Sequence, residues 1–119
     1  MSVHDNKTRI AHIKEAAQKI IVYTQGKTQK DFEQDEILQL ATIRLIEIIG
    51  EAAARLTTEF REHHPDMPWQ AIIGMRNRLV HAYFAIDYDI VWVTVTKAIP
   101  ELLKQVNTIQ FEDDKDRDS

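Results

Sequence analysis

The chain has no cysteine among its 119 residues. That absence removes disulfide bridges, thiolate metal sites and cysteine nucleophiles together, and it fits a reducing compartment. Three glycines and three prolines leave little material for turns. Such scarcity favours a few long helices over many short strands. A membrane-spanning run is also missing: the most apolar stretch, 37–56, is interrupted by Gln39, Arg44, Glu47, Glu51 and Arg55. The opening MSVHDNKTRI lacks the apolar core of a signal peptide. A soluble cytoplasmic protein with no membrane partner is therefore expected.

What is present suits one globular domain. Hydrophobic residues make up 44% and charged residues 29% of the chain, and its length leaves no room for a second core. The net charge of −4 argues against a broad basic face for nucleic acid. A local basic site is still compatible with it, because Glu112, Asp113, Asp114, Asp116 and Asp118 crowd the last eight residues. The segment 112–119 reads as a solvated, disordered acidic tail, which leaves the body nearer neutrality.

Apolar spacing predicts four main helices in an all-α bundle. The first covers about 6–24, with Ile10, Ile13, Ala17, Ile20, Ile21 and Thr24 in register and Gly26 as its stop. The second covers about 31–61, with a stripe of Ile37, Leu40, Ala41, Leu45, Ile48, Ile49, Ala52 and Leu56. Gly50 within it costs about 1 kcal/mol against alanine unless close helix packing uses the missing side chain. After the break at His63-His64-Pro65-Asp66-Met67-Pro68, a third helix is expected over 68–84. Asp87 is the expected N-cap of a fourth, which Pro100 should kink or divide. Val91 to Val95 has strand propensity, but no second strand exists to pair with it.

Chemistry concentrates in one place. Gly74-Met75-Arg76-Asn77-Arg78-Leu79-Val80-His81-Ala82-Tyr83-Phe84 holds two guanidiniums, an amide, an imidazole and a phenol. Arginine offers a permanently charged planar fork that matches phosphate oxygens, and histidine exchanges a proton near neutral pH. Such a pair can cut RNA without a metal: the imidazole acts on the ribose 2′-hydroxyl or the leaving oxygen, and Arg76 stabilises charge on the phosphate. One straight helix does not bring them together, since His81 would lie about 140° from Arg76. Either the helix end loosens, or the Arg76 side chain wraps round, or a second protomer completes the site. On composition alone a lone helical histidine is more often structural, and Arg76 and Arg78 are ordinary surface cations.

The stretch resembles the signature of the HEPN superfamily, an Arg and a His four to six residues apart. It is more specifically similar to the HepT-like branch, whose pattern is Arg, four residues, His, one residue, Tyr. Arg76, His81 and Tyr83 fit that pattern, and Asn77 fits the polar residue that commonly follows the Arg. Pro68-Trp69 leading into Ile72 to Asn77, the Asp87-to-Trp92 start of the next helix, and Ile46 to Ala52 also resemble this branch. The likeness covers about 5–108.

This resemblance implies an antiparallel bundle, a HEPN-type helical domain over 1–111, that forms a homodimer with two motif copies around a shared cleft. It implies a metal-independent endoribonuclease acting as the toxin of a toxin–antitoxin pair. A minimal nucleotidyltransferase is the implied antitoxin, silencing the toxin by AMPylation of Tyr83. Arg76 and His81 are then the catalytic pair, and Asn77 and Arg78 bind the RNA. Glu47 and Glu51, one turn apart where the branch carries acidic residues, can support a motif arginine, although Glu51 with Arg55 reads more simply as an exposed helical pair. No cofactor or metal is expected: His63-His64, His4 and His12 lack zinc-ligand spacing. Trp69 and Trp92 read as core. Two rival roles use the same residues. One is a non-catalytic module that grips a nucleotide or a partner protein, and the other is a regulatory subunit modified by its nucleotidyltransferase.

Overall fold

Helix α1 (Val3–Thr24) places Ile10, Ile13, Ala16, Ala17 and Ile20 in the core at the predicted helical spacing. The computed structural model describes residues 3–80 and 85–111, with side chains from residue 5 onward. His81 and Tyr83, the predicted last turn of the third helix and the predicted tail at 112–119 lie outside the described residues. Gly26 ends α1 as expected, with φ 74°, a conformation in which a Cβ would be strained.

The single helix expected over 31–61 is three. Thr28 and Asp31 form a capping box that starts α2 (Gln29–Glu33), each side chain accepting from the other's backbone N–H. Those hydrogen bonds from Thr28 hold the Asp31 carboxyl below its ordinary pKa. Asp35 restarts the chain as α3 (Glu36–Ala54), and Thr57 does so again as α4 (Thr58–Glu62). Asn6 locks the second break: its oxygen accepts from the Thr57 N–H at 3.0 Å, and its amide donates to Thr57 Oγ1 at 3.2 Å. Because Asn6 lies in the first turn of α1 and Thr57 follows α3, this clamp makes the two helices antiparallel.

Of the predicted stripe, Ile49, Ala52 and Leu56 are buried as expected, but its first residues are not. Ile37 and Leu40 are 81% and 61% exposed, whereas Leu38, Gln39, Thr42, Ile46, Ile49, Gly50 and Ala53 are buried. Two contacts set this rotation. The Gln39 amide donates to the carbonyls of Phe32 and Glu33 at the end of α2. Gly50 lies so close to the chain at Ile72 and Ile73 that a Cβ there would stand 3.0 Å from the Ile73 carbonyl oxygen. The missing side chain at Gly50 is thus used for packing, the one condition under which its helical cost is offset.

The third helix is interrupted and shorter than predicted. It runs as α5 (Trp69–Ile73) and α6 (Met75–Leu79), with Gly74 between them. Val80 is already extended, with φ −125° and ψ 119°, and forms an antiparallel bridge to Ile86. Asp87 N–H donates to Leu79 O at 2.9 Å. Backbone pairing thus joins Leu79 and Val80 to Ile86 and Asp87, the residues on either side of 81–84.

Asp87 then caps the last helix, accepting from the Ile90 N–H as expected. It runs as α7 (Tyr88–Val93), a π-helical turn (Thr94–Ala98) and α8 (Ile99–Val106) without a break. The Pro100 ring would crowd the carbonyl four residues back in a regular helix. The chain widens just before it instead, with Ile99 N–H bonded to Thr94 O, five residues back. Thr94 and Thr96 hydroxyls donate to the carbonyls of Ile90 and Trp92. The whole is an all-α bundle: among the described residues no strand occurs beyond the single bridge. Its core holds Phe32, Ile46, Ile49, Leu79, Val91, Ile99 and Val106, all essentially inaccessible.

Candidate active site

The rotation of α3 that buries Thr42 and Ile46 turns a second face outward. Ile37, Leu40, Arg44, Glu47 and Glu51 follow alternating steps of three and four residues, so they form one seam along the helix. Beside this seam lies a groove of about 310 Å³. Leu40, Ile43, Val80 and Ile86 are its apolar walls, and Arg44, Glu47 and Arg76 its charged end.

Arg76 projects from α6 towards α3, where its Nε lies 3.3 Å from Glu47 Oε2. The Nε is buried, yet its N–H is not aligned on that oxygen. The contact is therefore a charge–charge tether and leaves the directed donor unspent. Both side chains are about a third exposed, so the pair adds at most about 1 kcal/mol of stability. Its consequence is positional: the guanidinium is held at the lip of the groove. Glu47 also lies 3.8 Å from Arg44 Nη1, and the same nitrogen donates to Glu51 Oε1 at 3.4 Å.

The predicted site residues divide. Arg76, Glu47 and Glu51 belong to one charged network. Glu51 enters it through Arg44, not through the expected Arg55 pair. Asn77 is exposed on α6. Arg78 is exposed on the opposite side of that helix from Arg76, and its Nη2 donates to Ala71 O at 3.2 Å. The structure does not bring Arg78 to the groove. His81 and Tyr83 fall outside the described residues, but α6 ends two residues before His81. The angular separation imposed by a straight helix is therefore not a constraint.

Arg44 is the residue that sequence reasoning passed over. Its signal was the spacing to Glu47 and Glu51, three and seven residues on, which places all three on one face.

Other candidates have structural partners. His63 and His64 turn their Nδ1 atoms to the carbonyls of Glu59 and Phe60, at 2.7 and 3.0 Å. Trp69 is buried, its indole N–H shared between the Arg61 and His64 carbonyls. Trp92 packs on Phe32 with ring centres 5.8 Å apart. Among the described residues no group of three or more His, Asp or Glu is placed to hold a metal ion. No helix among them is long and apolar enough to cross a membrane.

A helical bundle that presents a motif arginine at the edge of an apolar groove, just upstream of a histidine and a tyrosine, is of the HEPN class. The chain belongs to the HepT-like ribonuclease family: the family model "Ribonuclease HepT-like" matches residues 13–109. It is 45% identical over 100 residues to "Putative RNase TTE0752" of Caldanaerobacter subterraneus subsp. tengcongensis, covering 84% of this chain and 89% of that protein. It is 37% identical over 109 residues to "Putative RNase MJ1380" of Methanocaldococcus jannaschii, covering 92% and 100%. It is 39% identical over 97 residues to "Probable ribonuclease HepT" of Thermococcus cleftensis, covering 82% and 88%. No solved structure gives a significant match.

Proposed function

We propose that this chain is a metal-independent endoribonuclease and the toxin of a toxin–antitoxin pair. The observation that carries the reading is the tethered Arg76 at a groove whose walls, Val80 and Ile86, flank the segment bearing His81 and Tyr83. His81 takes the proton of a ribose 2′-hydroxyl, whose oxygen bonds to phosphorus. The bond to the 5′-oxygen breaks, that oxygen gains a proton as it leaves, and a 2′,3′-cyclic phosphate remains. Arg76 offers its fork to the charge on the non-bridging oxygens. Asn77, exposed on α6 next to Arg76, contacts the RNA beyond the scissile phosphate; Arg78, on the far side of that helix, is left out of this reading.

The antitoxin in this reading is a nucleotidyltransferase that transfers AMP to the Tyr83 phenol. Two residues from His81, the modification adds bulk and negative charge where the RNA phosphate must approach. The working unit is a homodimer. Its support is the exposed apolar end of the α3 seam, Ile37 and Leu40, with Ile90 and Val93 exposed on α7. The charged end of the seam then faces a shared cleft. Leu40→Glu is expected to convert a dimer to a monomer at micromolar concentration, read by light scattering. A monomeric mass for the parent chain sinks the dimer.

The deciding experiment expresses the chain alone in the cytoplasm of growing cells, beside His81→Ala, and maps RNA ends in both. Growth arrest with new cyclic-phosphate ends that vanish in the variant is the expected result. Cleavage by the purified protein should survive EDTA. Equal cleavage after His81→Ala, or loss in EDTA, overturns the mechanism. Co-expression with a nucleotidyltransferase antitoxin should add AMP mass that Tyr83→Phe abolishes.

A further inference from the structure

The groove holds a second guanidinium to which that mechanism gives no task. Arg44 is 60% exposed and lies on the same helical face as Glu47, within reach of the carboxylate that tethers Arg76. Its contacts, 3.8 Å to Glu47 and 3.4 Å to Glu51, are longer than the 2.7–2.9 Å or so of a committed charge-assisted hydrogen bond. Two arginines and two glutamates thus form a loose open chain, Arg76–Glu47–Arg44–Glu51, with no net charge. Long contacts of this kind keep both forks near the groove yet give them up readily. An arriving phosphodiester replaces a long carboxylate contact with a short bidentate one, and the released carboxylate stays solvated. Because one carboxylate lies between the two guanidiniums, they cannot both close on one phosphate unless it displaces Glu47. They are placed to hold two phosphates in succession along one strand.

Resting on the ribonuclease reading, we infer that Arg44 is a positioning residue for the substrate: it grips the phosphate next to the scissile one and sets the strand's register over Arg76. Glu47 spaces the two arginines, and Glu51 keeps Arg44 on the groove side of α3. The apolar walls, Leu40 and Ile43, take the sugar and base edges between the two phosphates.

The test is a cycle between protein and RNA charges. Its substrate is a short RNA spanning one mapped cleavage site, in three forms: unmodified, and with either flanking linkage made an uncharged methylphosphonate. For the parent, neutralising one of the two flanking linkages should lower kcat/KM about tenfold, mainly through KM. For Arg44→Ala the unmodified RNA should show that same loss, and the methylphosphonate should cost nothing further. Arg44→Lys should recover part of it. The slope of log kcat/KM against log salt should fall by about 0.7 in Arg44→Ala, as for one lost single-strand phosphate contact. If both flanking substitutions cost the variant as much as the parent, Arg44 does not touch a neighbouring phosphate and the inference is wrong. The same holds if Arg44→Ala lowers kcat alone. A parent chain that cuts no RNA overturns the ribonuclease reading itself, and this inference with it. Cleavage by the parent with an inert Arg44 overturns only the inference.

Discussion

Arg76→Ala is expected to lower kcat/KM on RNA by about 10²–10³-fold, the scale of removing one preorganised donor from a site of developing charge. Thermal stability should hardly change, because the ion pair lost among the described residues is the tether to Glu47, whose side chains are about a third exposed. Arg76→Lys keeps the charge, but its single ammonium cannot contact Glu47 with one edge and a phosphate with another. It should therefore recover only a minor part of the rate, and kcat should suffer more than KM. Steady-state kinetics beside thermal unfolding of the same preparations separates the cases. A loss below tenfold removes Arg76 from the chemistry. A loss matched by a fall in melting temperature makes its role architectural.

Phe32→Ala should be the most damaging change in the body. The ring is inaccessible to solvent, meets Tyr88 edge-on with centres 6.2 Å apart, and packs on Trp92 at 5.8 Å. It joins the short helix α2 to α7. Removing a buried aromatic costs about 3–5 kcal/mol, from lost burial plus the cavity left behind. That is a large share of the roughly 5–15 kcal/mol that holds such a domain together. The melting temperature should fall on the order of 10–20 °C. Catalysis should suffer too, since α7 begins where Asp87 and Ile86 are pinned to Leu79 and Val80 beside the motif. Phe32→Leu should retain most of both. A calorimetric shift under about 1 kcal/mol for the alanine variant would show that α2 and α7 do not depend on this ring.

Much of this was readable from residue type and spacing. The helical class followed from the scarcity of glycine and proline together with 3.6-residue apolar periodicity. Gly26 and Asp87 were legible because a left-handed stop and an N-cap are local events, decided within four residues. The family was legible because Arg76, His81 and Tyr83 stand at a fixed spacing within a longer matching frame.

What only the tertiary structure decided is orientation. Helix α3 is apolar on two sides, and nothing in its own sequence says which side is the core. The Gln39 amide, needed at the end of α2, and Gly50, needed against Ile73, chose the face that carries Thr42 and Ile46. That choice turned Ile37, Leu40 and Arg44 outward and placed Glu47 beside Arg76. The early end of α6 was equally hidden, because Val80 leaves the helix for a partner, Ile86, that lies beyond the motif. Sequence determines what each segment can do with its neighbours in the chain; which face meets which depends on contacts between residues tens of positions apart, whose free energies no local pattern contains.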